Sequence, residues 1–170
     1  MTTHRKFQDL VFDTDRYKAS LHQFYLDLKA WRQFEFTYPL TWTKLRFDPS
    51  NRRQIPKERG IYAFTVALTP SSLPEHGYIL YMGITGDDSG GTLNSRYAQY
   101  LGDLRRQDGR PKVYYMLERW KEDLFFNFVP VPDRRMSLRK IESAFLSAIR
   151  PPVNERDLEA RISNARRAAF

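Results

Sequence analysis

A chain of 170 residues has the length of one domain with an extension, at roughly 150 residues per domain. It has no cysteine, which excludes a disulfide framework, a Cys-based zinc site and a thiol nucleophile. Lys and Arg outnumber Asp and Glu by 28 to 20, a net charge of +8, and the sequence pI is near 9.8. Apolar residues make 41% and aromatic residues 15% of the chain, enough to build a packed core and too much for a wholly disordered one. Charges interrupt the N-terminal stretch MTTHRKFQDLVFDTDRYK every few positions, so no secretory apolar core is expected there. No run approaches the roughly 18 apolar residues of a membrane span. The composition reads as a soluble, cytoplasmic, basic globular protein.

The elements follow in chain order. Residues 14–33 read as an amphipathic helix, with Tyr17, Leu21, Phe24, Tyr25, Leu28 and Trp31 at three- and four-residue steps. Phe34, Phe36, Tyr38, Leu40 and Trp42 then alternate with other residues as in an edge strand, broken near Pro39. Residues 48–59 are polar, basic and twice punctuated by proline, a connecting loop. Ile61 to Leu68 and Tyr78 to Ile84 form two strands of an antiparallel hairpin across the loop 70–77. The run Gly86-Asp87-Asp88-Ser89-Gly90-Gly91 is read as a flexible insertion rather than a calcium or phosphate loop. It lacks the spaced ligands of an EF-hand and the Gly-Lys-Ser/Thr of a Walker loop. Thr92 caps a helix over 93–107, a further helix covers 112–122, and Leu124 to Val131 is a third strand. Ser137 opens a helix that buries Leu138, Ile141, Phe145, Leu146 and Ile149 and ends at Pro151-Pro152; a polar, basic helix covers about 157–168. Three short strands with helices segregated around them give an α+β domain, not a doubly wound sheet.

Positive charge gathers in three places. Residues 44–59 hold six basic side chains against two acidic, residues 96–121 seven against three, and residues 134–170 nine against four. Such a surface attracts a polyanion by counterion release, though charge alone also fits an ordinary solvated face. His4, His22 and His76 are scattered and support no metal cluster. In Phe125, Phe126 and Phe128, strand alternation turns at least one pair inward, so core packing is the better reading than base stacking.

A more specific pattern lies in the order of a few residues. Gly60-Ile61-Tyr62 opens the first hairpin strand and Tyr81-Met82-Gly83 closes the second. Arg96 and, one turn on, Tyr100 lie on the helix after the glycine loop, Glu142 lies on the helix after the third strand, and Asn154 follows the double proline. This combination resembles the GIY-YIG nuclease superfamily over about residues 59–157. It implies a compact three-stranded antiparallel sheet flanked by helices, with residues 1–58 as an N-terminal extension and 158–170 as a C-terminal basic helix. The resemblance also implies cleavage of phosphodiester bonds in DNA with one divalent ion, Mg²⁺ or Mn²⁺. Under it Tyr62 is the general base, Tyr81 helps to hold the water or phosphate, and Arg96 clamps the phosphate. Tyr100 orients the water or takes up a proton, Glu142 is the metal ligand, and Asn154 braces the glutamate helix. Three features depart from the family pattern: eighteen residues separate Tyr62 from Tyr81, Met82 replaces a branched aliphatic, and Ile84 stands where some members have lysine.

The residue types suit the chemistry. Phosphodiester hydrolysis needs a deprotonated water in line with the leaving oxygen and neutralisation of the phosphoryl charge. A single carboxylate can hold Mg²⁺, which keeps several of its waters, and an arginine forks onto phosphate while remaining charged. Two other readings stay open: a nucleic-acid-binding module that keeps the fold without cutting, and a docking component of a larger DNA-processing assembly. The extension 1–58 would help to position the substrate or, with Trp31 and Trp42, serve a homodimer or a partner protein.

Overall fold

The computed structural model describes residues 12–16, 24, 26–34, 40–67 and 77–154. The expected C-terminal helix over 157–168, the loop over 70–76 and all three histidines lie outside the described residues. The fold is α+β. Four antiparallel strands, β1 (Thr43–Arg46), β2 (Gly60–Ala67), β3 (Gly77–Thr85) and β4 (Leu124–Pro130), form one sheet in the order β1-β4-β2-β3. Its helices are the single-turn α1 (Leu28–Arg32), α2 (Leu93–Arg106), α3 (Pro111–Arg119) and α4 (Leu138–Ile149), with 3₁₀ turns at Pro49–Gln54 and Pro152–Asn154. Among the described residues no helix is long and apolar enough to cross a membrane.

The sheet has one strand more than the sequence suggests. Of the strand expected over 34–42, residues 35–39 lie outside the described residues; the added strand is β1, which follows it and joins the β4 edge with Leu45 opposite Phe126. Three of its four residues are exposed, so its hydrogen-bonded ladder rather than burial holds it, and the apolar alternation is missing. Leu40 and Trp42 pack against the α4 side instead, Trp42 edge-on to Phe145.

The expected helix over 14–33 is also not continuous. Residues 12–16 are helical, but Asp27 is extended and caps α1 by accepting the Ala30 N–H at 2.9 Å. Its own N–H donates to Ala148 O at 3.0 Å and its carboxylate pairs with Arg150 at 2.7 Å. These ties to the end of α4 outweigh the helical periodicity, and Phe24 stacks on Tyr78 with ring centroids 3.9 Å apart. Within the polar stretch 48–59, Pro49–Gln54 form a 3₁₀ turn capped by Asp48, and the rest is the expected connection. Tyr97 Oη on α2 accepts from Asp48 N at 2.9 Å and donates to Asp48 O at 2.8 Å.

Strand alternation divides the core between the two faces of the sheet. Tyr62, Phe64 and Val66 of β2 join Phe126 and Phe128 under α2 and α3. Ile61 and Ala63 join Met82, Val129, Leu138, Ile141 and Phe145 under α4. Of the three phenylalanines of β4, Phe126 and Phe128 are core, while Phe125 carries Lys44 over its ring.

Arg59, immediately before β2, ties the layers together. Its buried guanidinium donates to Gly86 O, Asp133 O and Met136 O at 3.2, 2.7 and 3.0 Å and pairs with Asp87 at 2.8 Å. Asp87 in turn accepts the N–H groups of Leu138 and Arg139, where the N-terminus of α4 favours negative charge. The Gly86–Gly91 segment is therefore not merely an inserted flexible loop: its first two residues anchor α4. Arg59→Met should strand the Asp87 carboxylate and three carbonyls. A loss of about 3–5 kcal/mol in urea unfolding is expected, and a loss below about 1 kcal/mol would show that Arg59 does not hold the layers together.

Candidate active site

The two glycine triplets lie side by side. Tyr62 of β2 is the register partner of Gly83 of β3. The Tyr62 ring passes over that glycine so closely that a Cβ on residue 83 would stand 2.5 Å from the Tyr62 oxygen. A Cβ on Gly60 would meet Val129 O at 2.2 Å, so the first glycine lets β2 approach β4. A β-bulge between Phe64 and Thr65 leaves Leu80 without a register partner and turns Leu80 and Tyr81 toward the same face.

Tyr62, Tyr81 and Tyr100 form a triangle of rings with centroids 5.9 to 6.4 Å apart. The Tyr62 and Tyr100 hydroxyls share a hydrogen bond of 2.8 Å in which either oxygen can donate. All three phenols are nearly inaccessible, at 2%, 4% and 2% exposure. They floor a polar cleft of about 940 Å³ that Arg96 and Glu142 also line. Four cleft residues, Arg96, Gln99, Tyr100 and Asp103, follow the i, i+3, i+4, i+7 face of α2. Glu142 comes from α4, in the opposite layer, and joins the cleft beside Gly83 and Ile84 of the edge strand β3. Because β3 is the last strand among the described residues, groups from both layers can meet around its rim.

Five of the six residues singled out from sequence thus share one cavity. Asn154 does not line it. Its Oδ1 accepts from Met82 N and its Nδ2 donates to Met82 O, both at 2.7 Å. It holds the outer edge of β3 between Tyr81 and Gly83, a site open to it because no further strand pairs there among the described residues.

Sequence reasoning missed Arg110. It precedes Pro111 at the start of α3, after Gly109 in left-handed geometry with φ +98°, and lines the cleft. Its guanidinium donates to Tyr81 Oη at 2.6 Å and lies 5.2 Å from that ring's centroid. Its only sequence signal was membership of a basic cluster within a turn. The cleft therefore has two arginines, Arg96 from α2 and Arg110 from the α2–α3 turn. Asp103 and Asp108 line the same cleft, and Asp103 pairs with Arg106 at 3.1 Å.

Burial dominates the electrostatics of the phenols. Desolvation pushes Tyr62 well above its ordinary value of 10.0, reinforced by Tyr100 and Tyr81 and opposed by Arg96. Tyr100 is raised as well, first by desolvation. A phenolate on this floor therefore requires nearby positive charge. Among the described residues no group of three or more His, Cys, Asp or Glu is placed to hold a metal ion together. Three carboxylates line the cleft, Asp103, Asp108 and Glu142, of which Asp103 is paired with Arg106; a single carboxylate can hold hydrated Mg²⁺ or Mn²⁺, and Glu142 would be that ligand.

No protein-family model, curated protein or solved structure matches this chain.

The raised phenols fix a pH response. A neutral buried tyrosine contributes its stability below the unfolded value of about 10 and loses it as pH rises toward the higher folded value. Tyr62 and Tyr100 act in this direction, as does Tyr97, which burial pushes to about 12. Stability should fall between pH 10 and 11.5. Tyr62→Phe should reduce that slope by up to about 1.4 kcal/mol per pH unit in urea unfolding; an unchanged slope would mean that Tyr62 ionises freely in the folded chain.

Proposed function

We propose that the chain is a GIY-YIG-type endonuclease that hydrolyses phosphodiester bonds in DNA with one divalent metal ion. The observation that carries this reading is the shared cavity: Tyr62, Tyr81, Arg96, Tyr100 and Glu142, scattered over eighty residues of sequence, line one polar cleft. A general base, a permanent cation and a hard oxygen donor are the groups this hydrolysis needs.

In this mechanism Arg96 forks onto the non-bridging oxygens of the scissile phosphate and holds it in the cleft. Tyr62, as phenolate, removes a proton from the attacking water. The hydrogen bond shared with Tyr100 keeps the Tyr62 oxygen aimed, and Arg96 favours its ionised form. The water oxygen bonds to phosphorus as the P–O3′ bond breaks, and the departing 3′ oxygen collects a proton from solvent. A Mg²⁺ or Mn²⁺ ion held by Glu142 would supply charge neutralisation at the phosphate and leaving oxygen. Arg110 orients Tyr81 through their hydrogen bond and adds positive charge to the phenol floor. The cation that some members of the superfamily have at the Ile84 position is thereby replaced from another element, since Ile84 and Arg110 border the same cavity.

The basic cluster at 96–121 contributes Arg96 and Arg110 to the cleft, and this positive charge suits a phosphate backbone. The test is supercoiled plasmid incubated with and without Mg²⁺. Nicking should require the ion and stop with EDTA. Glu142→Gln should abolish nicking while DNA affinity stays within a few-fold. Nicking by Glu142→Gln would refute the metal-ligand role. Binding without any nicking by the unaltered chain would favour the non-cleaving module.

A further inference from the structure

Beside the polar cleft runs a second cavity of a different character, about 500 Å³ in volume and lined chiefly by Phe24, Leu80, Tyr115, Met116, Trp120 and Val153. Its size falls within the range of small-molecule pockets, roughly 300–1,000 Å³. Tyr115 stands at its rim with 60% of its surface exposed, whereas Met116 behind it is buried. Phe24 is held in the wall by its stack on Tyr78.

The groove and the cleft share Pro111. They are also stitched together by neighbouring residues of three elements. On β3 Tyr81 serves the cleft and Leu80 the groove, because the bulge turns both to one side. At the start of α3 Arg110 serves the cleft and Lys112 the groove. After α4 Asn154 fixes the cleft's edge strand while Val153 faces the groove. Two further apolar hollows, one beside Tyr78 and Ile149 and one beside Trp42 and Phe145, share no lining residue with the cleft. A surface that sets arginine and lysine beside an aromatic-lined slot has the chemistry of a strand: phosphate and base.

We propose that this groove receives a nucleobase of the strand being cut, so that the substrate presents an unpaired base next to the scissile linkage. The proposal rests on the nucleic-acid reading of the adjoining cleft. Tyr115 and Trp120 offer π faces to the base, Leu80, Met116 and Val153 contact its apolar edges, and Lys112 with Arg110 faces the flanking phosphates. A base stacked within a duplex cannot enter without being extruded, at the expense of its stacking and pairing. Single strands, bulges and flaps avoid that penalty, so they are the preferred substrates.

The experiment is a binding comparison by fluorescence anisotropy at fixed salt, with the full chain and EDTA present so that nothing is cut. One strand is a thymidine 12-mer; the other is an abasic 12-mer with the same backbone charge. The base-bearing strand should bind about ten-fold more tightly, the worth of one stacked base. Tyr115→Ala should remove that preference and Tyr115→Phe should retain it. Equal affinity for the two strands, or an undiminished preference in Tyr115→Ala, would overturn the base site and hand the groove to a peptide segment. The outcome is separable from the nuclease reading: a chain that nicks plasmid but ignores bases loses only this proposal, and one that prefers bases but never nicks upholds it while losing the catalytic reading.

Discussion

One buried guanidinium sets the relation between the two halves of the site. Arg59 sits directly before the strand that carries Tyr62, and its bonds reach the turn after β3, the turn after β4 and, through Asp87, the first turn of α4. Those are the segments that must stay in register for Glu142 to meet the phenols. A charge placed so far from water is tolerated because all three nitrogens of its fork find acceptors. Its removal would therefore do more than delete one interaction. It would leave Asp87 without a cation and free the start of the helix that carries the carboxylate.

The architecture of the cleft follows from being at a sheet edge. In the interior of the sheet, groups from α2 and α4 are separated by two packed layers. At β3 the sheet ends, Gly83 has no side chain, and residues of both layers border one cavity. The same exposed edge would be a pairing liability, but Asn154 occupies the Met82 backbone groups. The tyrosines sit in tension with their surroundings. The aromatic core that fixes their geometry also raises the cost of ionising them, so any chemistry through a phenolate depends on the arginines and the cation that Glu142 would hold.

Much of this was legible in sequence, and the parts that were not share physical causes. The strands at Gly60, Gly77 and Leu124 and the helices after Thr92 and Ser137 declared themselves because local pattern and tertiary packing agree there. β1 was missed because an edge strand held by its ladder needs no apolar alternation. The helix over 14–33 was overextended because Asp27 takes partners more than one hundred residues away, which no periodicity records. Asn154 was recognised as a residue of interest, but its bonds to the Met82 backbone were not foreseen, since that partner carries no signal of its own. Arg110 was invisible for a similar reason: its meaning comes from Tyr81, twenty-nine residues earlier. The glycines at 60 and 83 gained a physical explanation only with coordinates, as points where a methyl group would strike a carbonyl or a phenol.

The account stands on a carboxylate at 142 holding a metal ion within the tyrosine cleft. Paramagnetic broadening by Mn²⁺ of assigned tyrosine ring resonances, without nucleic acid, tests that directly. Signals of Tyr62, Tyr81 and Tyr100 should broaden in the unaltered chain and stay sharp in Glu142→Gln. Equal broadening in both proteins, or broadening confined to tyrosines outside the cleft, would contradict it.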